Sequence, residues 1–576
     1  MKSHPGLALL ILFLPTLASA QEAPERLLSE KTQVYLRWDG MEAHQAAFDK
    51  TALAKILQGD LGRFLSESIK QAKEKVNAAL SNEQILGGNP PDVIRKIQSD
   101  GVEAIKLLDI LGQHGVILGI EVRGLDPPVA QGTLIFPQAG KPEGPFLALI
   151  RMISNLAKVE LKEQKIAGRG VYVVPAGPVH LAAWIEGPDA VLTIGTDKPD
   201  AIIERIAAKR PGLIGQPLFQ QVQGFKEFET GTRGFIELAS LVQLGRGRGK
   251  EVAALIDDLG LDGLRSLTFY SGFDGPAERS LVELHIPGPR KGLLKLTSNK
   301  AFKLADLPPM PPDVTDFSAS NLDWTGLFDV GRTAVEGVLK IVAPDEAKQI
   351  SPFLQQANQY LGINLRDDLL GSLDTLTMQY NSPSEGIFSL GQVTLIKVKD
   401  VKKLQTALDN LAKKLGTTPG VPVAVKKKPY HGVELRQIDI HSPGIFYAPT
   451  FGIYKDWLIF SLYPQPVHGY VLRSTGTLPV WTPGKGLKEN LDKFPGEYVS
   501  VSVSDPRPTV RFLLSVLPTV VAGINSASEF TGFTLDVSLL PTAQEVTQHL
   551  FPNVSIATDD GTTLRLETRA SLAFPF

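Results

Sequence analysis

Apolar and polar side chains alternate at residues 234–238 and 497–504, the period of a strand that buries one face. Residues 33–39 and 314–322 form two further short strands of similar make-up. Each of the four runs into sequence with helical spacing. After the first, Leu65, Ile69, Ala72, Val76 and Ala79 fall on one face. The third leads into 339–361 and the fourth into 509–524. A strand followed by a helix, used four times, predicts a chain assembled from repeats.

Hairpins recur between these pieces. Residues 114–123 and 131–136 flank the turn Asp126-Pro127-Pro128, and 267–273 and 280–285 flank Asp274-Gly275-Pro276. Residues 376–380 and 391–398 flank Ser382-Pro383, and 533–539 with 562–568 make a looser fourth copy. Glycine and proline at such positions supply the backbone angles that reverse the chain. A third piece occurs twice. Strands 180–184 and 191–195 precede a helix at 199–207, with Asp197 as its expected N-cap and Pro199 in its first turn. Strands 451–454 and 457–462 precede 467–473 in the same way. The clearest amphipathic helix is 401–415, with Leu404, Leu408, Leu411 and Leu415 on one face and Lys402, Lys403, Lys413 and Lys414 on the other.

This order predicts an α+β fold of tandem antiparallel sheet repeats with helices packed on one face. The expected divisions are a signal peptide at 1–20, a first α+β repeat unit at 21–305 and a proline-rich linker at 306–312. A second unit follows at 313–510, then a C-terminal helix and hairpin module at 511–576. The linker is placed at Pro308-Pro309-Met310-Pro311-Pro312, because dense proline continues neither a helix nor a central strand. A weaker flexible point is the glycine- and arginine-rich stretch 245–250.

The first twenty residues read as an export signal cleaved after Ala20. Lys2 is the positive start, 7–17 is apolar, and Ala18-Ser19-Ala20 supplies the small residues. The expected location is periplasmic or secreted, with no membrane span after signal removal. The stretch 510–524 is apolar but short, and is expected to be a core helix entered through Pro506 and Pro508.

Composition then narrows the chemistry. Hydrophobic residues make up 43% and charged ones 21%, a globular balance that excludes a disordered chain. Lys+Arg number 59 against 61 Asp+Glu, a net charge of −2, so no basic footprint for nucleic acid exists. With no cysteine, disulfides, thiolate metal sites, cysteine nucleophiles and a lipoprotein anchor are all ruled out.

The segment TQVYLRWDGMEAHQAAFDKTAL, the run LRDDLLGSLDTLTMQY followed by GQVTLIKVKDVKKLQTALDNLAKKL, and the hairpin YKDWLIFSL resemble a bacterial exported family known only as a domain of unknown function. The resemblance spans residues 30–540 and implies strands, hairpins and helices in tandem. It carries no catalytic residue to this chain.

Among polar residues, Asp39, Asp323 and Asp505 each end a strand of the repeat, where a carboxylate caps the helix that follows. Asp439 and His441, two apart on a strand, with His431 nearby, are the best metal candidate, though no His-Glu-x-x-His pattern supports them. Gly245, Gly247 and Gly249 lack the endings of either phosphate-binding loop. Lys426-Lys427-Lys428 reads as a solvated charge run, and no Gly-x-Ser-x-Gly elbow occurs. The terminal Phe576 resembles the ending of outer-membrane barrels, but Pro575 and the many amphipathic helices argue for a soluble final strand.

The expected function is therefore a non-enzymatic binding or scaffolding component of the bacterial envelope, with no cofactor, metal or catalytic residue assigned. Its partner is an envelope protein or an apolar ligand, with Trp38, Trp324, Tyr454, Trp457 and Trp481 as contact candidates against core packing. The alternatives are a hydrolase using Asp439 and His441, or a lipid carrier with its ligand between a sheet and a helix at 146–158.

Overall fold

The computed structural model describes residues 23–81, 92–141, 144–157, 159, 161–208, 212–297, 300–386, 390–417, 423–440, 447–526 and 534–572. The expected export signal at 1–20, His441 and the last four residues lie outside them. The fold is α+β, with every strand pairing antiparallel within one continuous sheet.

The first ten strands are β1 Val34–Trp38, β2 Val116–Leu125, β3 Pro128–Phe136, β4 Lys162–Ile166 and β5 Arg169–Ala176, then β6 Val179–Glu186, β7 Asp189–Gly195, β8 Glu229–Glu237, β9 Ser266–Asp274 and β10 Ala277–His285. The second ten are β11 Asp316–Asn321, β12 Leu373–Asn381, β13 Gln392–Val398, β14 Val423–Tyr430 and β15 Val433–Ile440, then β16 Thr450–Tyr454, β17 Trp457–Ser461, β18 Ser500–Ser504, β19 Asn553–Asp559 and β20 Thr563–Ala570. In space the first set runs β4-β5-β6-β7-β3-β2-β1-β8-β9-β10. The second continues as β20-β19-β18-β11-β12-β13-β17-β16-β15-β14.

Both halves thus use one strand order, and they meet edge to edge at β10 and β20, with Leu281 opposite Glu567 near the middle of the joint. The helices follow suit. Asp60–Ser81 and Asp92–His114 come after β1, as Trp324–Val342 and Ile350–Leu361 come after β11. Gly144–Ala157 follows β3 as Val401–Thr417 follows β13. Pro199–Ala207 follows β7 as Pro464–Ser474 follows β17, and Leu238–Arg246 follows β8 as Pro506–Ser526 follows β18.

Helices cover both faces of this sheet, because strands such as β6 are apolar at consecutive positions. Trp184 packs with Ile202, Ile203 and Ile206 on one face, while its neighbours Ala183 and Ile185 pack with Phe146 and Ile150 on the other. A strand with two apolar faces requires two layers of cover.

Several expectations are corrected. The fourth hairpin is β19–β20, because Val554 and Ile556 are the alternating buried positions; 537–539 is a single turn capped by Asp536. The helical stretch after β11 is three helices, Trp324–Val342, Pro344–Ala347 and Ile350–Leu361, the first ending before Pro344, which cannot donate to a helix already under way. The helix expected at 509–524 runs Pro506–Ser526, across the division at 510, and the hairpin beyond it joins the two halves. Asp197 does not cap its helix; Arg123 holds its carboxylate, and Lys198 stands at the N-cap with Pro199 in the first turn. The proline stretch is packed into the second half, where Met310 is buried and its carbonyl accepts from the Trp481 N–H.

The outermost strands, β4 and β14, are both lysine-bearing. Lys162 and Lys165 on β4 and Lys426, Lys427 and Lys428 on β14 are exposed. Lysine on an open edge discourages pairing with another chain.

Candidate functional site

The five strands β2, β1, β8, β9 and β10 bury the apolar centre of one face. Ile117, Tyr35, Phe235 and Leu281 have no exposed surface and Tyr270 almost none. Their opposite face is also apolar, and the Leu238–Arg246 helix reaches β2 and β9 across it without burying it. Ile120, Val34, Ile236, Leu267, Leu284 and Leu564 stand in register across six hydrogen-bonded strands ending at β20. A second row beside it contains Leu118, Leu36, Phe269, Val282 and Leu566, with Gly234 between Leu36 and Phe269. None of these side chains is buried, Leu566 is 47% exposed, and none joins the packed clusters of either half. Five interstrand spacings make each row about 24 Å long. A half-solvated antiparallel sheet ordinarily turns polar residues to its open face, so this array is anomalous.

Gly234 lets the Phe269 ring lie over the centre of the array. A methyl group there would collide with the Tyr35 carbonyl and the Phe269 ring. The matching face of the second half is polar instead: Ser500, Ser502, Ser318, Ser320, Thr377 and Gln379 occupy the corresponding rows. The scaffold is duplicated, but its chemistry is not.

The long helices lie on this same side. Phe136 and Ala190, on the open-face parity of β3 and β7, pack against Phe146 and Leu107. Helix Asp92–His114 reaches its neighbour Asp60–Ser81 through Lys73 and Asp109, 3.7 Å apart. Phe64 of Asp60–Ser81 then packs with Val521 and Leu535, so a second-half helix leans on a first-half one. The reciprocal crossing joins Trp324–Val342 to Lys250–Asp258, where Gly337 admits the Leu255 side chain.

These helices are incompletely covered. Val335, Val338 and Val342 are 50%, 48% and 69% exposed, and Leu513 and Val520 are 56% and 52% exposed. The expectation that 510–524 is a core helix is overturned. Only Pro506 and Val521 of Pro506–Ser526 are buried, because its partners Leu61, Phe64, Val546 and Leu550 reach one side only. The lipid position expected at the 146–158 helix is closed: Phe146 and Ile150 are fully packed.

The polar candidates resolve into structural roles. Asp323 accepts from the Gly326 N–H at 2.9 Å and caps its helix, and that hydrogen bond holds its carboxyl below the ordinary value. Asp505 accepts from the Arg507 N–H at 3.0 Å at the start of the next helix. Asp39 is not a cap. It is held by Arg37 and by Arg233 at 2.8 Å, with the His44 ring 3.3 Å away, because the chain turns tightly after β1 beside two guanidinium groups. Burial penalises its charge, but Arg233 and Arg37 outweigh that and lower its pKa. The second ring nitrogen of His44 faces Glu229 at 2.9 Å, so both nitrogens are engaged by carboxylates.

Asp439 is paired with Lys426 at 2.6 Å, and that bond lowers its pKa. The carboxylate offered to a metal is thus already neutralised. Among the described residues no group of three metal-binding side chains exists. Lys427 bridges Asp409 and Glu434, so the lysine run is solvent-exposed and ion-paired at once. The stretch 245–250 is the joint between two helices, Gly249 adopting φ +147°.

Of the aromatic candidates, Trp457 is buried, Trp481 and Tyr454 pack on the second-half core, and Trp324 packs beside Leu404. Trp38 alone lies on the open apolar face, opposite Val116. Sequence reading missed the rest of that face. Its signal was present: β1 and β10 are apolar at both parities, as in Val34-Tyr35-Leu36 and Leu281-Val282.

No family model matches the chain, and no curated protein does. Among solved structures, crystal form III of TP0453 is 11% identical over 47% of this chain and 82% of its own, with a TM-score of 0.24. Crystal form I of TP0453 is 11% identical over 48% and 83%, with a TM-score of 0.22.

Proposed function

We propose that the protein is an exported, non-enzymatic component of the bacterial cell envelope that binds lipid acyl chains on its open sheet face. The carrying observation is the double row of incompletely buried apolar side chains from Ile120 to Leu566. Water gains nothing from that surface, and covering it returns about 25 cal/mol for each Å². One leaflet of a bilayer core is about 15 Å deep, so a row of about 24 Å accommodates one extended acyl chain along its length. The polar second half marks one end of the site at β19, where Ala557 and Asp559 follow Leu566 and Leu564. Export rests on the pattern of the first twenty residues.

The test is organic extraction of the purified full chain, followed by titration of the delipidated protein with a fluorescent fatty acid. Lipid in the extract and saturable binding, lost in Leu566→Glu, support the reading. A clean extract with no fatty-acid binding, or unchanged binding in Leu566→Glu, overturns it.

A further inference from the structure

We infer that the Pro506–Ser526 helix is a docking surface for an anionic lipid bilayer, which goes beyond acyl-chain binding on the sheet and stands without it. This helix is long and apolar enough to cross a membrane, with mean hydropathy 1.4, yet only 6% of that window is buried. A core helix of a soluble protein has the same composition but is mostly covered. Here the cover is one-sided. Val510, Leu514, Leu517 and Val521 face the chain, whereas Leu513, Val516 and Val520 share the neighbouring flank, about a quarter-turn round the helix, and are 56%, 37% and 52% exposed.

Charge identifies the occupant. Residues 506–526 contain no acidic side chain and only two basic ones, Arg507 and Arg511. Asp505 takes Arg507. Arg511 is exposed, without a carboxylate in ion-pair reach among the described residues, and it directly precedes the exposed Phe512 and Leu513. An outward apolar stripe with a cation at one end suits the boundary between acyl chains and anionic headgroups, where a helix lies in the plane of the surface. The cation remains with the phosphates while its stem and neighbours enter the apolar layer. An apolar partner protein would not need this asymmetry. Trp324–Val342 presents a second exposed stripe, Val335, Val338 and Val342, on the same side of the sheet.

The experiment is flotation of the full chain with vesicles of phosphatidylethanolamine and phosphatidylglycerol, and with phosphatidylcholine alone. The wild-type protein is expected to float with the anionic vesicles. Leu513→Asp/Val520→Asp is expected to reduce the bound fraction at least tenfold. Arg511→Gln is expected to weaken binding and flatten its salt dependence. A Val516→Trp variant, which keeps the stripe apolar, is expected to shift its emission to the blue on adding anionic vesicles. Circular dichroism confirms that each variant is folded. Absence of wild-type flotation, equal flotation of the double-aspartate variant, or an unshifted Val516→Trp emission overturns the inference. So does light scattering that shows this stripe buried between two copies of the chain. Leu513→Asp/Val520→Asp keeps fatty-acid binding if only docking is lost, and Leu566→Glu keeps flotation if only the sheet site fails.

Discussion

Leu281 and Leu566 lie on neighbouring strands of the joint but on opposite faces, so one substitution at each separates a closed core from an open site. Leu281 is wholly buried among Tyr35, Phe235 and Tyr270. Leu281→Ala removes its transfer energy and leaves a cavity, which costs about 2–5 kcal/mol. Leu566 already keeps 47% of its surface in water. Full burial of a leucine is worth about 1.5–3 kcal/mol, so Leu566→Ala gives up about 1 kcal/mol and opens no cavity. Urea titrations should show a large drop in midpoint for Leu281→Ala and a small one for Leu566→Ala, at similar slopes. Fatty-acid affinity should respond in the opposite order. Loss of contact worth about 1 kcal/mol weakens binding about fivefold in Leu566→Ala, while folded Leu281→Ala binds as wild type. Equal destabilisation by the two variants would mean that the face is closed core, and the site would fail with it.

Two other outcomes follow from the ion pairs and the edges. Asp39→Asn should destabilise the protein by about 2–3 kcal/mol at pH 7, since charge-assisted hydrogen bonds to Arg37 and Arg233 are lost. Because the folded pKa of Asp39 is lowered, its contribution is fully present above the ordinary carboxylate value of 3.8 and fades as pH falls through the depressed one. The gap in melting temperature between wild type and Asp39→Asn should therefore narrow in acid; a gap independent of pH would contradict that assignment. Lys162→Val/Lys165→Val on β4 should shift the protein to larger species than wild type by size-exclusion chromatography, and an unchanged profile would show that lysine is not what protects this edge.

The strands and most hairpins were legible because their turn residues and period-two patterns are local. Asp126-Pro127-Pro128 and Asp274-Gly275-Pro276 announce β2–β3 and β9–β10 without tertiary help. The helix of Leu404 and Leu408 is equally plain. What resisted was everything decided at a distance. Val554 and Ile556 are too short a pattern to outrank 533–539 until β18 is seen beside them. Asp39 and Asp197 look like caps locally, and Arg233 and Arg123, 194 and 74 residues away in sequence, help to reassign them, with Arg37 also on the first. The candidate site was hidden for a related reason. Hydrophobic residues at Val34, Leu36, Val282 and Leu566 read as core, and periodicity does not say whether a second layer closes over them. The same ambiguity made Pro506–Ser526 look interior.

The joint at β10 and β20 also determines how the molecule responds to dilution. Two separate chains meeting at such edges would part as their concentration fell. Covalent linkage turns that encounter into an intramolecular one, with an effective concentration that solvent volume does not alter. It also lets the partners differ. Two copies of β20 would set Glu567 against Glu567, like charges directly opposed, whereas the linked chain sets it against Leu281 with Arg279 and Arg565 beside it. The halves are thereby free to specialise, one greasy and one hydroxylated, while remaining married for life.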